Sequence, residues 1–437
     1  MNIGIDCFAF DLPKIHLPIT TLAEARGIEP AKLVNGLGLH KMAFLDVHQD
    51  VVTMAANAAL KLIQDNHINT SEVARIYVGT ESGVDSSKPI ASYVMGLLES
   101  QLGARSFANC DATDITFACI GAVDALQNAL DYVRLYPNKK VVVIATDNAK
   151  YDLASTGEYT QGAGAIAMLV TSNPRILTFE GAFGTATESV FDFFKPRRVV
   201  EKLAITGTGE NAPWFDVLET ELSLYKEQPV FDGQYSNQCY IDRIKEAYDH
   251  FKSENKKGDT IVFEEWKAIL MHLPYCYQGR RTFHEIYAQA YPEKLDSNLE
   301  SKKDQLKALA KSADYMQLVQ EKIAPSEIAS GQVGNIYTGS IFLGLLSTLS
   351  HYAQLEEEIS GCTFGFIAYG SGSKSKVFEA RVQPNWKSAI KEINLFEYLE
   401  KSTPITLEAY ESLHKKEIKN SIKHPEKEFV INYIEKE

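Results

Sequence analysis

The sequence predicts an α/β protein, because short apolar strands alternate along the chain with amphipathic helices. Runs rich in Val, Ile and Ala and bounded by Gly or Pro are typical of buried strands; they lie at 75–80, 140–146, 164–171, 267–274 and 363–370. Apolar residues at helical spacing occur between them, at 49–64, 121–133 and 341–354. This alternation favours a sheet that is at least partly parallel.

Composition is ordinary for a globular protein. Apolar residues make up 45% and charged residues 23% of the 437 positions, and no apolar run reaches the length of a membrane span. The opening MNIGIDCFAF lacks the basic stretch and long apolar core of a signal peptide, so we expect a cytoplasmic protein. A net charge of −13 argues against a nucleic-acid partner.

The cysteines show no metal-binding spacing. None of them forms a CxxC pair, and no histidine cluster has the spacing of zinc ligands. A chain of this length without a secretion signal has no need of disulfides. We therefore expect free thiols and no metal. The cysteines stand at positions 7, 110, 119, 239, 276 and 362.

Cys119 is the strongest candidate for a reactive thiol. The stretch TDITFACIGAVDALQNALDYV has an apolar stripe at helical spacing, which places Cys119 at or just before a helix start. Unpaired N–H groups and the positive end of the helix dipole collect there, and they are expected to stabilise a thiolate. A free cysteine beside apolar residues is usually an ordinary core residue, so this stretch alone favours a packing role.

Four further stretches carry candidate chemistry. Glu81 follows a strand in VGTESGVD, His272 ends a strand in AILMHLPYC, and Asn335 lies in the polar turn GNIYTGS. Ser371 lies in YGSGSKSK, where small residues allow backbone N–H groups to hold an oxyanion. Singly, each has a common structural explanation, such as a capping carboxylate or a hydrogen-bonded core histidine. With Cys119 they form the set of groups that acyl transfer through a thioester requires.

In this order, these stretches resemble the 3-hydroxy-3-methylglutaryl-CoA synthase family of the thiolase superfamily. The resemblance extends over nearly the whole chain, because it also includes IGIDCFAFDLP, LAEARGIEPAKLVNGLG, QDVVTMAANAA, VIATDNAKYDLASTGEYTQGAGAIAML, DFFKP and PVFDGQYSNQCY. It implies a five-layered thiolase fold with two duplicated halves, 1–172 and 173–437, usually as a homodimer. A surface excursion is expected near 197–228, where turn residues and acidic clusters accumulate.

The resemblance implies a division of catalytic roles. Cys119 is expected to take the acetyl group of acetyl-CoA, and Glu81 to remove a methyl proton and later protonate the new alkoxide. His272, assisted by Asn335, is expected to orient acetoacetyl-CoA, while the N–H groups of Cys119 and Ser371 form an oxyanion hole. The other substrate-binding positions that we expect are Tyr151, Thr160, Gly162, Pro274, Tyr337, Arg280 and Arg281.

The implied reaction condenses acetyl-CoA with acetoacetyl-CoA and then hydrolyses the Cys119 thioester, which yields 3-hydroxy-3-methylglutaryl-CoA for mevalonate and isoprenoid synthesis without a cofactor. The chain departs from the family pattern in two places. Phe117 replaces an acidic residue ahead of the Ala-Cys pair, and Tyr277 replaces a lysine that meets the CoA phosphates. Arg280 and Arg281 are candidates to supply the missing charge.

Three alternatives stay open at this point. A related enzyme acts on acyl-carrier-protein thioesters in polyketide β-branching, and Tyr277 favours it slightly because a carrier presents phosphopantetheine without the CoA 3′-phosphate. A non-catalytic protein that binds acyl-CoA is disfavoured, since Cys119, Glu81 and His272 are all retained. A simple ketoacyl synthase or thiolase pairs its cysteine with other partners, and TQGAGA and GNIYTGS fit it badly.

Overall fold

A large mixed sheet between layers of helices dominates the structure, a computed structural model that describes residues 2–206 and 221–432. The strands, in chain order, are β1 (Ile3–Asp11), β2 (Ile15–Pro18), β3 (Lys41–Phe44), β4 (Val73–Gly79), β5 (Asp111–Ile115), β6 (Lys140–Ala149), β7 (Gly162–Ser172), β8 (Leu177–Phe179), β9 (Gly184–Thr187), β10 (Phe193–Phe194), β11 (Arg197–Glu201), β12 (Glu221–Tyr225), β13 (Val230–Phe231), β14 (Trp266–Met271), β15 (Thr363–Gly370), β16 (Lys374–Val382) and β17 (Thr403–Pro404).

The helices alternate with these strands as the sequence predicts. They are α1 (Ile19–Ala25), α2 (Pro30–Leu37), α3 (Val51–Asp65), α4 (Ile90–Leu102), α5 (Gly121–Leu135), α6 (Lys202–Thr206), α7 (Gly233–Glu254), α8 (Val262–Glu265), α9 (Gln278–Ala290), α10 (Lys302–Leu309), α11 (Ala313–Leu318), α12 (Ala324–Val333), α13 (Ser340–Gln354), α14 (Trp386–Ile390), α15 (Leu395–Glu400) and α16 (Leu407–His414). Within the described residues, none of the helices has the length and apolar character needed to span a membrane.

The order of strands in the large sheet is β14-β15-β16-β8-β1-β7-β6-β4-β5, with β9 also paired to β16. Strand β4 runs parallel to both β5 and β6, and β14 runs parallel to β15, whereas the other pairs are antiparallel. Candidate groups follow the carboxyl ends of parallel neighbours, where sites form in α/β sheets. Glu81 follows β4 and Cys119 follows β5, while His272 follows β14 and Ser371 follows β15.

Five layers of helices and strands are present, as the resemblance implies, because the two ends of the large sheet lie on either side of the central helices and each end carries further helices on its outer face. Helices α5 and α13 share one central core with the inner faces of the strands. Leu126 of α5 and Leu346 of α13 belong to this core. Helices α3 and α4 cover the outer face on one side, and α7 and α9 cover it on the other. Each central helix is followed by an antiparallel strand pair, β6–β7 after α5 and β15–β16 after α13. This repeated order fits a duplicated unit.

The predicted surface excursion is partly visible. Strands β11 and β12 form a two-stranded antiparallel sheet whose side chains are mostly exposed, and they flank 207–220, which lies outside the described residues. Strands β10 and β13 form a second small sheet at its base. Phe193 and Phe231 of this second sheet pack against the buried cluster that contains Cys119.

Gly79, the last residue of β4, sets how closely the central helix α5 approaches the sheet. A Cβ atom at this position would lie 2.3 Å from both the N and Cα atoms of Ala122. These are backbone atoms of a buried helix and cannot rotate away. The absence of a side chain at Gly79 therefore allows the start of α5, and Cys119 just before it, to lie against the strand that leads to Glu81.

We expect Gly79→Ala to lower the free energy of unfolding by about 1–3 kcal/mol or more, because the added methyl overpacks the contact between β4 and α5. Gly96→Ala is the matched control, because Gly96 is an exposed position in α4 with no atom within 4 Å of an added Cβ. It should stabilise the protein by up to ~1 kcal/mol through helix propensity. Urea unfolding measures both, and equal stabilities for the two variants would contradict the packing account.

Candidate active site

Cys119 is presented by a tight turn immediately before α5. The Ile120 N–H donates to the Phe117 carbonyl at 3.1 Å, and Ala118 between them has a φ of +40°, in the left-handed region that alanine rarely adopts. The Cys119 side chain is buried, with 8% of the residue exposed. The predicted position just ahead of the helix start is therefore confirmed, and a strained turn orients the thiol.

A buried carboxylate, Asp147 on β6, fixes the loop that carries Glu81. Its Oδ1 accepts hydrogen bonds from the Thr80 hydroxyl at 3.0 Å, the Glu81 N–H at 2.9 Å and the Ser82 hydroxyl at 2.8 Å. Its Oδ2 accepts from the N–H of Thr338 at 3.0 Å and from the Thr338 hydroxyl at 2.5 Å. Asp147 thus joins the loop after β4 to the turn before α13. Burial, and then the charge of Glu81, raises the pKa of Asp147 to about 6.

The carboxylate of Glu81 lies between the thiol and an ammonium group. Glu81 Oε2 is 3.5 Å from Cys119 Sγ, and Glu81 Oε1 is 2.9 Å from Lys195 Nζ. A carboxylate beside the sulfur is placed to exchange a proton with a group attached to it. The two residues are 38 positions apart in the chain, and they meet because β4 and β5 are parallel neighbours.

The expected thiolate at Cys119 is wrong for the resting protein. Burial, reinforced by the charges of Glu81 and Asp147, raises the pKa of Cys119 well above its ordinary value, although Lys195 acts in the opposite direction. The helix start does contribute unpaired N–H groups, but the loss of hydration outweighs it. Cys119 therefore rests as a thiol at neutral pH.

The glycine-serine loop after β15 packs against the turn that carries Cys119. A Cβ on Gly370 would lie 2.8 Å from the Phe117 carbonyl oxygen and 2.9 Å from the Ile120 nitrogen. Gly372 N–H donates to Asp192 Oδ1 at 2.7 Å, which anchors the loop. Within the described residues, neither the Cys119 N–H nor the Ser371 N–H has a hydrogen-bond acceptor. Two free donors beside a buried thiol are what an oxyanion hole requires.

His272 is a neutral, buried imidazole at the end of β14. The main-chain N–H of His272 donates to the Ile367 carbonyl at 3.1 Å, and the main-chain carbonyl of His272 accepts from the Tyr240 hydroxyl at 2.8 Å. Burial lowers the pKa of His272 to about 3. Its Nδ1 atom is buried and has no hydrogen-bond partner among the described residues. An unpaired buried nitrogen is costly unless a ligand satisfies it, so this ring suits binding of a polar group.

Asn335 is held in a buried turn before α13. Its N–H donates to the Thr160 carbonyl at 2.9 Å, and its Oδ1 accepts from the Tyr337 N–H at 2.8 Å and the Ser340 hydroxyl at 3.0 Å. The side-chain oxygen of Asn335 is therefore used by the protein. No acceptor for its NH₂ group occurs among the described residues, so that group is the part of Asn335 that could meet a ligand.

Aromatic side chains pack in the buried cluster that contains Cys119. Tyr151 and Tyr337 share a small buried cluster with it, and the rings of Phe193 and Phe231 pack on them from the base of the excursion. The ring centroids of Tyr151 and Phe231 are 5.5 Å apart, and those of Phe193 and Tyr337 are 6.1 Å apart. Burial raises the pKa of both tyrosines, so their hydroxyls stay protonated and can donate.

Two small residues expected to bind substrate have their own packing explanations. The Thr160 hydroxyl donates to the Gly157 carbonyl at 2.7 Å. A Cβ on Gly162 would lie 2.7 Å from the Asn335 carbonyl oxygen, so glycine is required there by the backbone of the next turn. Pro274 is half-buried two residues after His272, in the turn between β14 and α9.

The two arginines that follow Tyr277 differ in how they are used. The Arg280 guanidinium lies 3.8 Å above the Tyr277 ring and forms a bidentate ion pair with the buried carboxylate of Glu327. Its charge is therefore neutralised within the protein. Arg281 is more exposed; it donates to the Gly36 carbonyl at 2.6 Å, and its guanidinium lies 5.9 Å from the centroid of the Tyr275 ring. No acidic side chain among the described residues forms an ion pair with it, so it retains charge for an anionic group in solution.

Sequence reasoning missed three residues that organise the site, namely Asp147, Asp192 and Lys195. Asp192 accepts from Tyr369 and Ser236, both at 3.0 Å, besides Gly372. A signal for Asp147 exists, because an acidic residue within the apolar run KVVVIATDNA must be paired or hydrogen-bonded once buried. Asp192 and Lys195 lie in DFFKP, a stretch that the family resemblance includes, but nothing in that stretch indicates that the lysine reaches Glu81.

The described residues contain no cluster of three or more His, Cys, Asp or Glu side chains that could hold a metal ion. All six cysteines are unpaired.

Comparisons with known proteins cover nearly the whole chain. The family described as hydroxymethylglutaryl-coenzyme A synthase N terminal matches residues 1–175, and its C-terminal counterpart matches residues 214–434. The hydroxymethylglutaryl-CoA synthase of Enterococcus faecalis is 34% identical over 417 residues, 94% of this chain and 91% of that protein. The enzyme of the same name from Haloferax volcanii is 30% identical over 458 residues, 98% of this chain and 96% of that protein.

Solved structures agree with these matches. MvaS in complex with 3-hydroxy-3-methylglutaryl coenzyme A is 29% identical with a TM-score of 0.79, and the alignment covers 95% of this chain and 92% of MvaS. The HMG synthase of the curacin biosynthetic pathway, solved with an acetyl donor-ACP, has a TM-score of 0.76 at 22% identity over 95% of this chain and 88% of its own. At that identity the curacin enzyme supports the fold alone.

We expect the His272 imidazole to show no titration between about pH 5 and pH 8, because its pKa is lowered to about 3. NMR of protein with labelled histidine measures this, and the signal missing from His272→Gln assigns the ring. The folded state binds this proton less tightly than the unfolded state. His272 therefore contributes stability that is present above pH 6.5 and is lost as the pH falls towards 3.

Urea-unfolded protein provides the control, because each imidazole there should titrate near about 6.5. A His272 signal in the folded protein that titrates near the same pH would contradict the neutral, desolvated ring.

Proposed function

Because the chain belongs to the hydroxymethylglutaryl-coenzyme A synthase family, we propose that Cys119 and Glu81 perform the condensation of acetyl-CoA with acetoacetyl-CoA. The enzyme is an acyl-CoA condensing acyltransferase. Its product is 3-hydroxy-3-methylglutaryl-CoA, which enters mevalonate and isoprenoid synthesis. The observation that carries the residue assignment is the 3.5 Å contact between Cys119 Sγ and Glu81 Oε2 in a buried site.

The first step transfers an acetyl group to the enzyme. The sulfur of Cys119 attacks the thioester carbonyl of acetyl-CoA, the bond to CoA sulfur breaks, and the thiol proton leaves with CoA. Negative charge develops on the carbonyl oxygen, and the N–H groups of Cys119 and Ser371 are the free donors available to it. Each such donor is worth roughly 3 kcal/mol in the transition state.

The second step forms the carbon–carbon bond. Glu81 takes a proton from the methyl group of acetyl-Cys119, and the electron pair of that C–H bond attacks the ketone carbon of acetoacetyl-CoA. The ketone oxygen becomes an alkoxide and receives the proton back from Glu81. His272 and Asn335 are proposed to hold the acetoacetyl group through the Nδ1 and NH₂ groups that lack protein partners. Water then hydrolyses the thioester to Cys119.

The acyl-CoA substrates need no further cofactor in this scheme. A related protein solved with 3-hydroxy-3-methylglutaryl coenzyme A supports acyl-CoA as the substrate class here. The proposed contacts include the aromatic walls Tyr151 and Tyr337, the turn of Thr160, Gly162 and Asn335, Pro274 beside His272, and Arg281 for a CoA phosphate.

A carrier-protein substrate is the second candidate. Tyr277 removes one expected phosphate contact, and Glu327 neutralises Arg280, so Arg281 is the single cation of this group with charge to offer. Carrier-bound phosphopantetheine lacks the CoA 3′-phosphate and needs fewer cations. CoA substrates stay the leading proposal, because relatives at 34% and 30% identity carry the CoA synthase name.

We also propose a cytoplasmic homodimer with two halves per chain, 1–172 and 173–437. Strand β5 is the edge of the large sheet, and among the described residues no strand pairs with its outer side. An unpaired edge with half-buried side chains is suited to pairing with a second copy. Six unpaired cysteines suit a reducing compartment.

Intact-mass measurement after mixing the protein with acetyl-CoA tests this function. We expect a mass increase of one acetyl group that is absent in Cys119→Ala and that disappears when acetoacetyl-CoA is added. Cys110→Ala is the matched control, because Cys110 is a partly exposed thiol with no place in the site. It should acetylate as wild type does.

Consumption of the adduct only by an acetoacetyl carrier protein would favour the second candidate. Failure of both acetyl-CoA and an acetylated carrier protein to acylate Cys119 would exclude it as the nucleophile and revive the acyl-CoA binding protein.

A further inference from the structure

Lys195 reaches the site from the segment between β10 and β11. Its Nζ is 2.9 Å from Glu81 Oε1 and 3.4 Å from the Glu81 carbonyl oxygen, and it lies 4.4 Å from the centroid of the Tyr337 ring. The Lys195 side chain is 19% exposed and that of Glu81 is 6% exposed. Both charged groups are therefore largely withdrawn from water. Two opposite charges attract each other more strongly in such a desolvated site than at the protein surface.

The orientation of the Glu81 carboxylate depends on this contact. The main chain of Glu81 is fixed through Asp147, but that bond does not reach the carboxylate. Oε1 is buried and makes no hydrogen bond, and among the described residues Lys195 is the one cation within ion-pair distance of it, at 2.9 Å. With Oε1 held by the ammonium group, Oε2 faces Cys119 Sγ. A rotation about the terminal torsion of Glu81 would break both contacts together.

The balance of charges around Glu81 also depends on Lys195. The carboxyl group of Asp147 and the thiol of Cys119 both lie close enough to Glu81 for their ionisation to be coupled to it. Lys195 acts on both in the opposite direction, and it also acts on Glu227, the partner of Lys150. The site therefore packs several acidic groups around one ammonium ion that contacts the base directly.

We propose that Lys195 is the positioning residue of the base: it holds Glu81 Oε1 so that Oε2 faces the acetyl group carried by Cys119. This inference rests on the proposed function. Lys195 keeps its own proton throughout the cycle. When the methyl C–H bond breaks and an O–H bond forms on Oε2, the ion pair becomes an ammonium beside a neutral acid. That arrangement favours return of the proton to the alkoxide of the product, which restores the pair.

The role predicts a separation of the two half-reactions. Attack of Cys119 on acetyl-CoA removes no methyl proton and should not need Lys195. Carbon–carbon bond formation needs Glu81 in one orientation, because a misplaced general base loses its contribution to the rate. Lys195→Met retains the length of the side chain and loses the charge, whereas Lys195→Arg retains a charged donor.

Single-turnover mass spectrometry measures both steps on the full-length protein. For Lys195→Met we expect acetylation by acetyl-CoA within about threefold of wild type, and consumption of acetyl-enzyme by acetoacetyl-CoA slower by about 100-fold. Lys195→Arg should recover at least about tenfold of that loss. Steady-state kcat should fall with the condensation step, while KM for acetoacetyl-CoA stays close to wild type.

Lys14→Met is the matched control for loss of a partly buried ion pair. Lys14 pairs with Glu428 at 2.6 Å, and no contact of it with Glu81 or Cys119 occurs in the described structure. This variant should slow neither step. Thermal unfolding of Lys195→Met and Lys14→Met separates a general loss of stability from a loss of positioning.

A double-mutant cycle with Glu81→Gln decides whether Lys195 acts through Glu81. In the Glu81→Gln background, Lys195→Met should cause no further loss of condensation. Unchanged condensation in Lys195→Met, equal loss of both half-reactions, or a full additional loss in the Glu81→Gln background would each overturn the proposal and leave the proposed function standing. Absence of acetylation in the wild type would instead overturn the proposed function, and this inference with it.

Discussion

The structure depends on one buried carboxylate, that of Asp147. A desolvated charge of this kind is destabilising unless donors surround it, and five groups from two distant segments donate to it. One segment carries Glu81 after β4, and the other begins α13 through Thr338. The hydrogen bonds of Asp147 therefore join the loop after β4 to the turn before α13 and fix the main chain of the base Glu81.

The electrostatic balance around that carboxylate explains why the thiol rests protonated. Glu81, Asp147 and Cys119 share a desolvated space with Lys195, and burial dominates the pKa of Cys119. A permanently ionised thiol would add a further negative charge next to two carboxyl groups. Deprotonation coupled to attack on the thioester avoids that charge, because the proton leaves with the departing CoA sulfur. The free N–H donors of Cys119 and Ser371 act on the substrate oxygen instead.

Much of the fold could be predicted from sequence because its signals are local. Apolar runs marked β4, β6, β7, β14 and β15, and helical spacing placed Cys119 ahead of α5. The family resemblance then joined Glu81, Cys119 and His272, although the contact between Glu81 and Cys119 depends on the pairing of β4 with β5. The resemblance includes Lys195 within DFFKP but gives it no role, because its partner Glu81 lies 114 positions earlier and their contact is a tertiary one. The thiolate expectation failed because burial is a tertiary property that a helix start does not reveal.

Asp147 fixes the main chain of the base Glu81, and Asp147→Asn tests this role most directly. An amide keeps the shape but replaces one acceptor oxygen with a donor, so some of the five bonds must break. The measurement is the single-turnover rate at which acetoacetyl-CoA consumes acetylated enzyme. We expect Cys119 still to be acetylated while this rate falls by about 100-fold or more. Consumption at the wild-type rate would contradict it.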